Sequence, residues 1–234
     1  MTSPTERSAR IQQMFSRIAR RYDVMNRLMT GGQDESWRRQ AAAALRLPPG
    51  GLCLDLATGT GDLALAVRRA WPDSRVVGMD FAYSMLQTGQ HKLRARGEDG
   101  ITLAQGDALA LPFRDAQFDG IVNGFLLRNV VDLPRALAEM RRVVKPGGRV
   151  ASLEITRPRT PVFRQLFQLY FYRVVPLVGG VVVGDRQAYT YLPNSLTLFP
   201  DAQTLKGMML QAGYRKVDVT LLSLGAMALH VAEV

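Results

Sequence analysis

The feature that most constrains what this chain can fold into is Leu52 to Ala64, Leu-Cys-Leu-Asp-Leu-Ala-Thr-Gly-Thr-Gly-Asp-Leu-Ala. Leu52 to Leu56 is a short apolar run, broken only by Asp55, with the composition of a buried parallel strand. Thr58 to Gly61 carries too much glycine for helix or strand, so the strand must end in a tight turn. Beyond it Leu63, Leu65, Ala66, Val67 and Ala70 recur as one face of a helix. The order is therefore strand, glycine turn, helix N-terminus. A ligand can approach such a backbone closely, because glycine puts no side chain in the way.

The same alternation continues downstream. Arg75–Met79, Ile101–Ala104, Phe118–Asn123 and Arg149–Glu154 read as further strands, with helices at Asp62–Trp71, Ser84–Arg96 and Leu133–Val144 between them. Strands that alternate with helices make a parallel sheet covered on both faces, and its ligands bind at the carboxyl ends of the strands. Lys145-Pro146-Gly147-Gly148 is a structural turn into the last of these strands. The chain closes with a helix at Ala202–Ala212 and two strands, Lys216–Leu222 and Ala226–Glu233, close enough to pair as an antiparallel hairpin. Seven strands are thus expected in one mostly parallel α/β sheet.

Two segments stand outside that alternation. From Ser8 to Met29, apolar residues such as Ile11, Met14, Phe15, Ile18, Tyr22 and Met25 recur at helical steps while arginines fill the other positions. A further helix around Trp37 and Ala41–Leu45 is stopped by Pro48, Pro49, Gly50 and Gly51. Residues 1–47 thus form an amphipathic helical cap. The second segment, Pro161–Gly184, is rich in Phe, Tyr, Leu and Val and is apolar nearly all round. It reads as a helical insertion that lines a hydrophobic pocket or touches a membrane, or else as a core helix. A single domain follows, divided as cap 1–47, ligand-binding core 48–160, apolar insertion 161–200, and C-terminal helix and hairpin 201–234.

Composition narrows the setting. With 47% hydrophobic and 21% charged residues, and no continuous apolar run long enough for a membrane span, the expectation is a soluble globular protein. The first residues lack the apolar core of a secretory signal, and the lone Cys53, inside the first strand, reads as inert core, so a cytoplasmic location is expected. The net charge of +10 attracts polyanions. Arg7, Arg10, Arg17, Arg20, Arg21 and Arg27 concentrate near the N-terminus, as a nucleic-acid surface, an anionic membrane surface or a solvated helix face. The apolar insertion suits a polyanion poorly, so no nucleic-acid partner is expected, and no metal.

The glycine turn satisfies G-x-G-x-x-A at Gly59–Ala64, and Asp80 ends the second strand about twenty residues later, which permits a nicotinamide dinucleotide. Two features favour S-adenosylmethionine. Asp55 lies four residues before Gly59, where a carboxylate helps to hold a cationic ammonium, directly or through water. Asp107 in Gly106-Asp107-Ala108 ends the third strand, where it or the adjacent backbone can accept from an adenine amino group. A pyrophosphate, by contrast, is poorly served by Asp62 at the helix start.

Several segments carry a resemblance. They are Tyr22-Asp23-Val24-Met25-Asn26 with Trp37 downstream, Asp55 to Asp62, Ala108 to Phe113, Leu127-Arg128-Asn129-Val130, Arg142 to Gly148, and Tyr191-Leu192-Pro193-Asn194-Ser195 running into Phe199-Pro200. Together they resemble the ubiquinone/menaquinone biosynthesis C-methyltransferases, over nearly the full chain, and more broadly the class I methyltransferases with their Rossmann-like sheet. Departures are Asp34 where that family often has His or Gly, Thr156 where Ser is usual, and Leu126 where Gly usually precedes Leu-Arg-Asn.

The resemblance implies methylation of a ring carbon of a polyprenylated quinol, with the cofactor bound by Asp55, Gly59, Thr60, Gly61, Asp80, Asp107, Ala108 and Gly124. Ring carbon is a weak nucleophile unless a neighbouring hydroxyl is ionised, and a phenol has a pKa near 10. Arg128, with Asn129 beside it, is the candidate for stabilising the phenolate or orienting a water that takes the proton; a structural ion pair or capping contact is the alternative. Tyr22, Asn26 and Phe125 are candidates for the substrate side, although Tyr22 and Asn26 would equally suit packing of the cap. His91 and His230 are not obvious bases. A quinol substrate brings an expected transient contact with the inner membrane surface, and a homodimer is an open expectation. The rival readings are methylation of another apolar phenol, and a cofactor-binding protein that has lost catalysis.

Overall fold

The computed structural model describes residues 4–158, 160–182, 195–197 and 199–234. The strands expected from periodicity are present to within a residue or two, except that the fifth begins earlier. They are β1 (Leu52–Leu56), β2 (Arg75–Asp80), β3 (Ile101–Gln105), β4 (Phe118–Gly124), β5 (Val144–Ile155), β6 (Lys216–Leu222) and β7 (Met227–Glu233). They form one seven-stranded sheet in the order β3-β2-β1-β4-β5-β7-β6. β7 is antiparallel to both its neighbours, β5 and β6, and the other pairs are parallel.

β5 starts at Val144, which pairs with Phe118, but the next pair is Gly120 with Arg149. The Lys145–Gly148 turn is therefore accommodated as a local break in register, with Gly147 at φ 81° in the left-handed region that glycine tolerates.

Helices α1 (Pro4–Ile18), α2 (Tyr22–Thr30) and α3 (Gln33–Ala44) make the cap, with a 3-10 turn between α1 and α2. The cap is pinned to the sheet's carboxyl edge, where the Gln12 side chain donates to the Phe81 carbonyl at 2.6 Å. Helices α4 (Asp62–Ala70), α5 (Tyr83–Ala95) and α6 (Leu133–Val143) connect the parallel strands. One core cluster gathers around Leu54, Phe118, Ile121 and Met140, and another around Trp37, Cys53, Val67 and Val122. Cys53 is buried and free, as expected of an inert core thiol.

The apolar insertion is two helices, α7 (Pro161–Leu169) and α8 (Val175–Val182), joined by a π-helical turn at Tyr170–Val174. That turn stands just before Pro176, which donates no hydrogen bond and whose ring clashes with an ordinary helical carbonyl, so the ladder widens there. No residue of α7 is buried, which removes the core-helix alternative for that part of the segment. Residues 183–184 of the apolar stretch and the Tyr191–Asn194 part of the resemblance lie outside the described residues. The chain ends with α9 (Ala202–Gln211) and the β6–β7 hairpin.

Candidate functional site

The carboxyl ends of β1, β2 and β4 meet at the glycine turn. Gly59 (φ 57°) and Gly61 (φ 85°) both adopt left-handed backbone, which explains why the turn needs glycine at those two places. Three adjoining cavities of about 40, 50 and 50 Å³ surround it. Gly59, Thr60 and Gly124 border the first, Gly59, Asp80, Phe81, Gly124 and Asn129 another, and Asp80, Asp107, Ala108 and Asn129 the third. Six of the eight residues expected to bind the cofactor are thus brought to the walls of one groove, all but Asp55 and Gly61.

Asp80 is nearly buried, and its two oxygens accept from the Gly59 amide at 2.8 Å and the Ala82 amide at 2.9 Å. It therefore shapes the turn as well as bordering the groove. Burial raises its pKa, although these backbone donors oppose the rise. Asp107 is exposed and accepts from the Leu109 amide at 2.9 Å, which closes the turn after β3.

Asp55 departs from the expectation of a direct contact: it borders none of the three cavities and is fully buried beneath the turn. Its Oδ2 accepts from the Thr58 hydroxyl at 2.6 Å, while its Oδ1 is buried with no partner. Burial pushes the carboxyl up to about 7, against the Thr58 hydroxyl and the Ala64 amide, which pull it down.

Beyond Phe125 lies a larger apolar cavity of about 230 Å³. Met14, Phe15 and Ile18 of α1, Phe163 and Phe167 of α7, and Phe171 and Val175 line its apolar walls. This is the pocket expected of the insertion. Tyr22, Asn26 and Phe125, the substrate-side candidates, line it, and Tyr22 and Phe125 border the turn cavities too.

Phe125 is the partition between the two sites. Its φ of 61° is the left-handed region, which costs a non-glycine residue about 1–2 kcal/mol. Its amide donates to the Leu153 carbonyl at 2.8 Å and its carbonyl accepts from the Asn129 side-chain amide at 2.7 Å. Asn129 is thereby turned toward the groove and away from the apolar cavity. The structure does not bring Asn129 and Arg128 to one cavity: Asn129 borders the groove and Arg128 the apolar cavity.

Arg128 does line the apolar cavity, with its guanidinium 5.2 Å from the centre of the Phe125 ring. It is also the ion pair that was the alternative, since Nη1 lies 3.1 Å from Glu154 Oε2 with both side chains buried. Glu154 accepts in addition from the Leu127 amide at 2.6 Å. Burial raises Glu154 while Arg128 opposes the rise. Two buried donors in this cavity's wall lack partners, Arg128 Nε and Asn26 Nδ2. Burial likewise raises the Tyr22 hydroxyl, with Asn26 and Arg128 nearby pulling it back.

Trp37, Gln33 and Ser223 border the same cavity and were missed as site residues. Ser223 donates to Gln33 Oε1 at 2.7 Å and accepts from Trp37 Nε1 at 3.1 Å. Nothing local marks Ser223, which is brought there by the β6–β7 turn. His230 is buried in β7 and bonded to the Ala202 carbonyl at 2.9 Å, and His91 is exposed; neither reaches the site. Among the departures, Asp34 pairs with Arg38, and Leu126 faces the turn cavities rather than the apolar one.

The groove suits a cationic ligand without phosphates. The first residue of α4 is Asp62, and the neighbouring cations Arg38 and Lys92 are already engaged by Asp34, Asp62 and Asp23, which serves a pyrophosphate poorly. Sheet order and site together define a class I S-adenosylmethionine-dependent methyltransferase. A crystal structure of a SAM dependent methyltransferase from Aquifex aeolicus has the same fold, with TM-score 0.65 and 15% identity over 91% of this chain and 98% of that one.

The chain belongs to the ubiE/COQ5 methyltransferase family, which it matches over residues 3–233. It is 45% identical over 228 residues to a demethylmenaquinone methyltransferase of Roseiflexus castenholzii, covering 97% of this chain and 94% of that one. It is 46% identical over 221 residues to a demethylmenaquinone methyltransferase of Thermus thermophilus, covering 94% and 99%.

Proposed function

We propose that this methyltransferase transfers a methyl group from S-adenosylmethionine to a ring carbon of a prenylated quinol, a demethylmenaquinol by the names of its relatives. The observation that carries the reading is the apolar cavity next to the glycine turn, with the unpartnered donors Arg128 Nε and Asn26 Nδ2 in its wall. A purely apolar ligand would leave both donors unsatisfied at a cost of about 1–3 kcal/mol each, whereas a phenolic oxygen satisfies them.

Bound at the turn, the cofactor supplies an electrophilic methyl group on a sulfonium whose positive charge disappears on transfer. The chain supplies alignment and environment. Gly59 and Gly124 leave the backbone open on the groove side, and Phe125 sets the boundary across which donor and acceptor face each other. Glu154 holds the Arg128 guanidinium in place. The guanidinium then stabilises the phenolate form of the acceptor, whose hydroxyl proton leaves to water. This makes the ring carbon nucleophilic, and once methylated that carbon gives up its own hydrogen as a proton to water, which restores the aromatic ring. Phe163, Phe167 and Phe171 keep bulk water out of the acceptor side.

The cavity, at about 230 Å³, is below the usual 300–1,000 Å³ of drug-sized ligand sites. It accommodates a ring, and the prenyl tail must continue outside. Val162, Leu166 and Leu169 on the outer side of α7 are 69, 59 and 61% exposed and offer it an apolar path, with Val24 and Leu28 of α2 also exposed. We place this face at a membrane surface, where the substrate resides. No helix among the described residues is long and apolar enough to cross a membrane.

The test is product analysis with short- and long-tailed demethylmenaquinols, a benzoquinol and an unprenylated phenol. C-methylated menaquinol is the expected product, and methylation of only the unprenylated phenol would sink the reading. With long-tailed substrate in anionic vesicles, Leu166→Glu with Leu169→Glu should lower turnover while leaving that with a short-tailed substrate intact.

A further inference from the structure

Lys92, on α5, has three donors and uses them on three different elements. Nζ lies 2.7 Å from Asp23 Oδ2 of α2, 3.0 Å from Thr60 Oγ1 of the glycine turn, and 2.6 Å from Asp62 Oδ1 at the start of α4. Thr60 in turn donates to Asp23 Oδ1 at 2.5 Å, which closes the ring. α5 can come this close because of Gly89, one turn earlier on the same face, where a Cβ would meet the Thr60 carbonyl oxygen at 3.1 Å.

The side chain of Lys92 is only 16% exposed, and those of Asp23 and Asp62 are 35 and 28% exposed, so the cluster is partly shielded from solvent. Arg38 is also close, 3.6 Å from Asp62 Oδ2 but bonded more closely to Asp34, and Arg96 adds its charge from nearby. Burial pushes the Asp62 carboxyl up, but Lys92 and then Arg38 override this and hold it below the usual range. Without Lys92, two carboxylates would face one threonine hydroxyl and repel.

Asp23 immediately follows Tyr22, and Asn26 lies one turn on. We infer that Lys92 is a positioning residue that latches the cap helix carrying Tyr22 and Asn26 onto the glycine turn, so that filling the cofactor side fixes the acceptor side. The consequence for turnover rests on the methyl-transfer reading; the latch itself does not. It is a coupling between two sites through one element, α2, whose order both sites share.

Amide hydrogen exchange on the full chain tests it, with and without S-adenosylhomocysteine. In the wild type the ligand should slow exchange in both α4 and α2 by about tenfold or more. Lys92→Met should keep the protection of α4 and lose that of α2, and Lys92→Arg should regain part of it. Turnover of demethylmenaquinol by Lys92→Met should fall about tenfold or more, chiefly in kcat. Should Lys92→Met not fold, Asp23→Asn is read in the same way, since it keeps the volume and removes one charge.

Equal protection of α2 in Lys92→Met and wild type overturns the inference. So does ligand protection lost evenly across the sheet strands, which would mark Lys92 as merely structural, or no ligand effect on α2 in the wild type. Wild-type protection of α2 with no methylation of any quinol would instead sink the substrate reading and leave the latch standing.

Discussion

Asp55→Asn separates what the buried carboxyl does for the fold from what it does for the ligand. Burial lifts its pKa from 3.8 to about 7, with Asp80 adding to the rise and Thr58, Ala64 and Arg38 opposing it. The folded state therefore holds this proton more tightly than the unfolded chain. The stability this confers is complete below pH 3.8 and is lost as pH rises to about 7. At 1.36 kcal/mol per unit, the ionised carboxyl costs the ligand-free fold roughly 4 kcal/mol above pH 7. Between pH 5 and pH 8 the wild type should thus lose roughly 3 kcal/mol relative to Asp55→Asn, in which the carboxyl cannot ionise. For a chain of this size that is a relative shift of roughly 5–10 °C in thermal midpoint.

The pH-independent cost of the substitution cancels in this comparison. The ligand works in the opposite sense: a cation above the turn favours ionised Asp55, so S-adenosylmethionine binding by the wild type should weaken as pH falls from 8 to 6, by at most about tenfold per unit, with release of a proton. Asp55→Asn should bind more weakly and with little pH dependence. Thermal scans from pH 5 to 8, and calorimetric titrations in buffers of different ionisation enthalpy, read both effects. Parallel stability curves for the two proteins, or unchanged cofactor affinity in the variant, would refute the reasoning.

Three further outcomes follow from the site. Arg128→Met should cost about 3–5 kcal/mol of stability, because it leaves buried Glu154 unpaired; adding Glu154→Gln should restore most of that in denaturant titrations but not turnover, and a double variant that turned over normally would remove Arg128 from the chemistry. Phe125→Gly should relieve about 1–2 kcal/mol of left-handed backbone cost while lowering kcat through loss of the partition, whereas Phe125→Ala keeps the backbone cost; denaturation midpoints set beside steady-state rates distinguish the two. Burial lowers the pKa of His230 from 6.5, so its contribution is present above pH 6.5 and is lost as pH falls below that; urea titrations at pH 5 and 7 should show a smaller drop for His230→Gln than for the wild type.

The sheet was legible because its signals are local. β1 and α4 follow from an apolar run, two glycines and a helical period, and β6 and β7 from two short runs close enough to pair. Asp80, Asp107, Ala108 and Gly124 could be placed because residues at the carboxyl ends of parallel strands converge wherever the chain makes such a sheet. Side-chain direction was not legible in the same way. Arg128 and Asn129 are adjacent in sequence, yet one faces the apolar cavity and the other caps the Phe125 carbonyl in the groove. Gln33, Trp37 and Ser223 come together only because α3 and the β6–β7 turn meet, and Lys92 looks like any solvated lysine until α2, the glycine turn and α4 surround it.

By itself, then, the amino-acid order determined the class of sheet, the place of the glycine turn and the acids around it, since these depend on periodicity and on what glycine alone permits. Only the tertiary structure decided that Asp55 lies buried beneath the turn, that Arg128 reaches the apolar cavity already paired with Glu154, and that Lys92 ties the cap helix α2 to the glycine turn and α4. Burial and partner choice decide those outcomes, and both arise between residues that are distant along the chain.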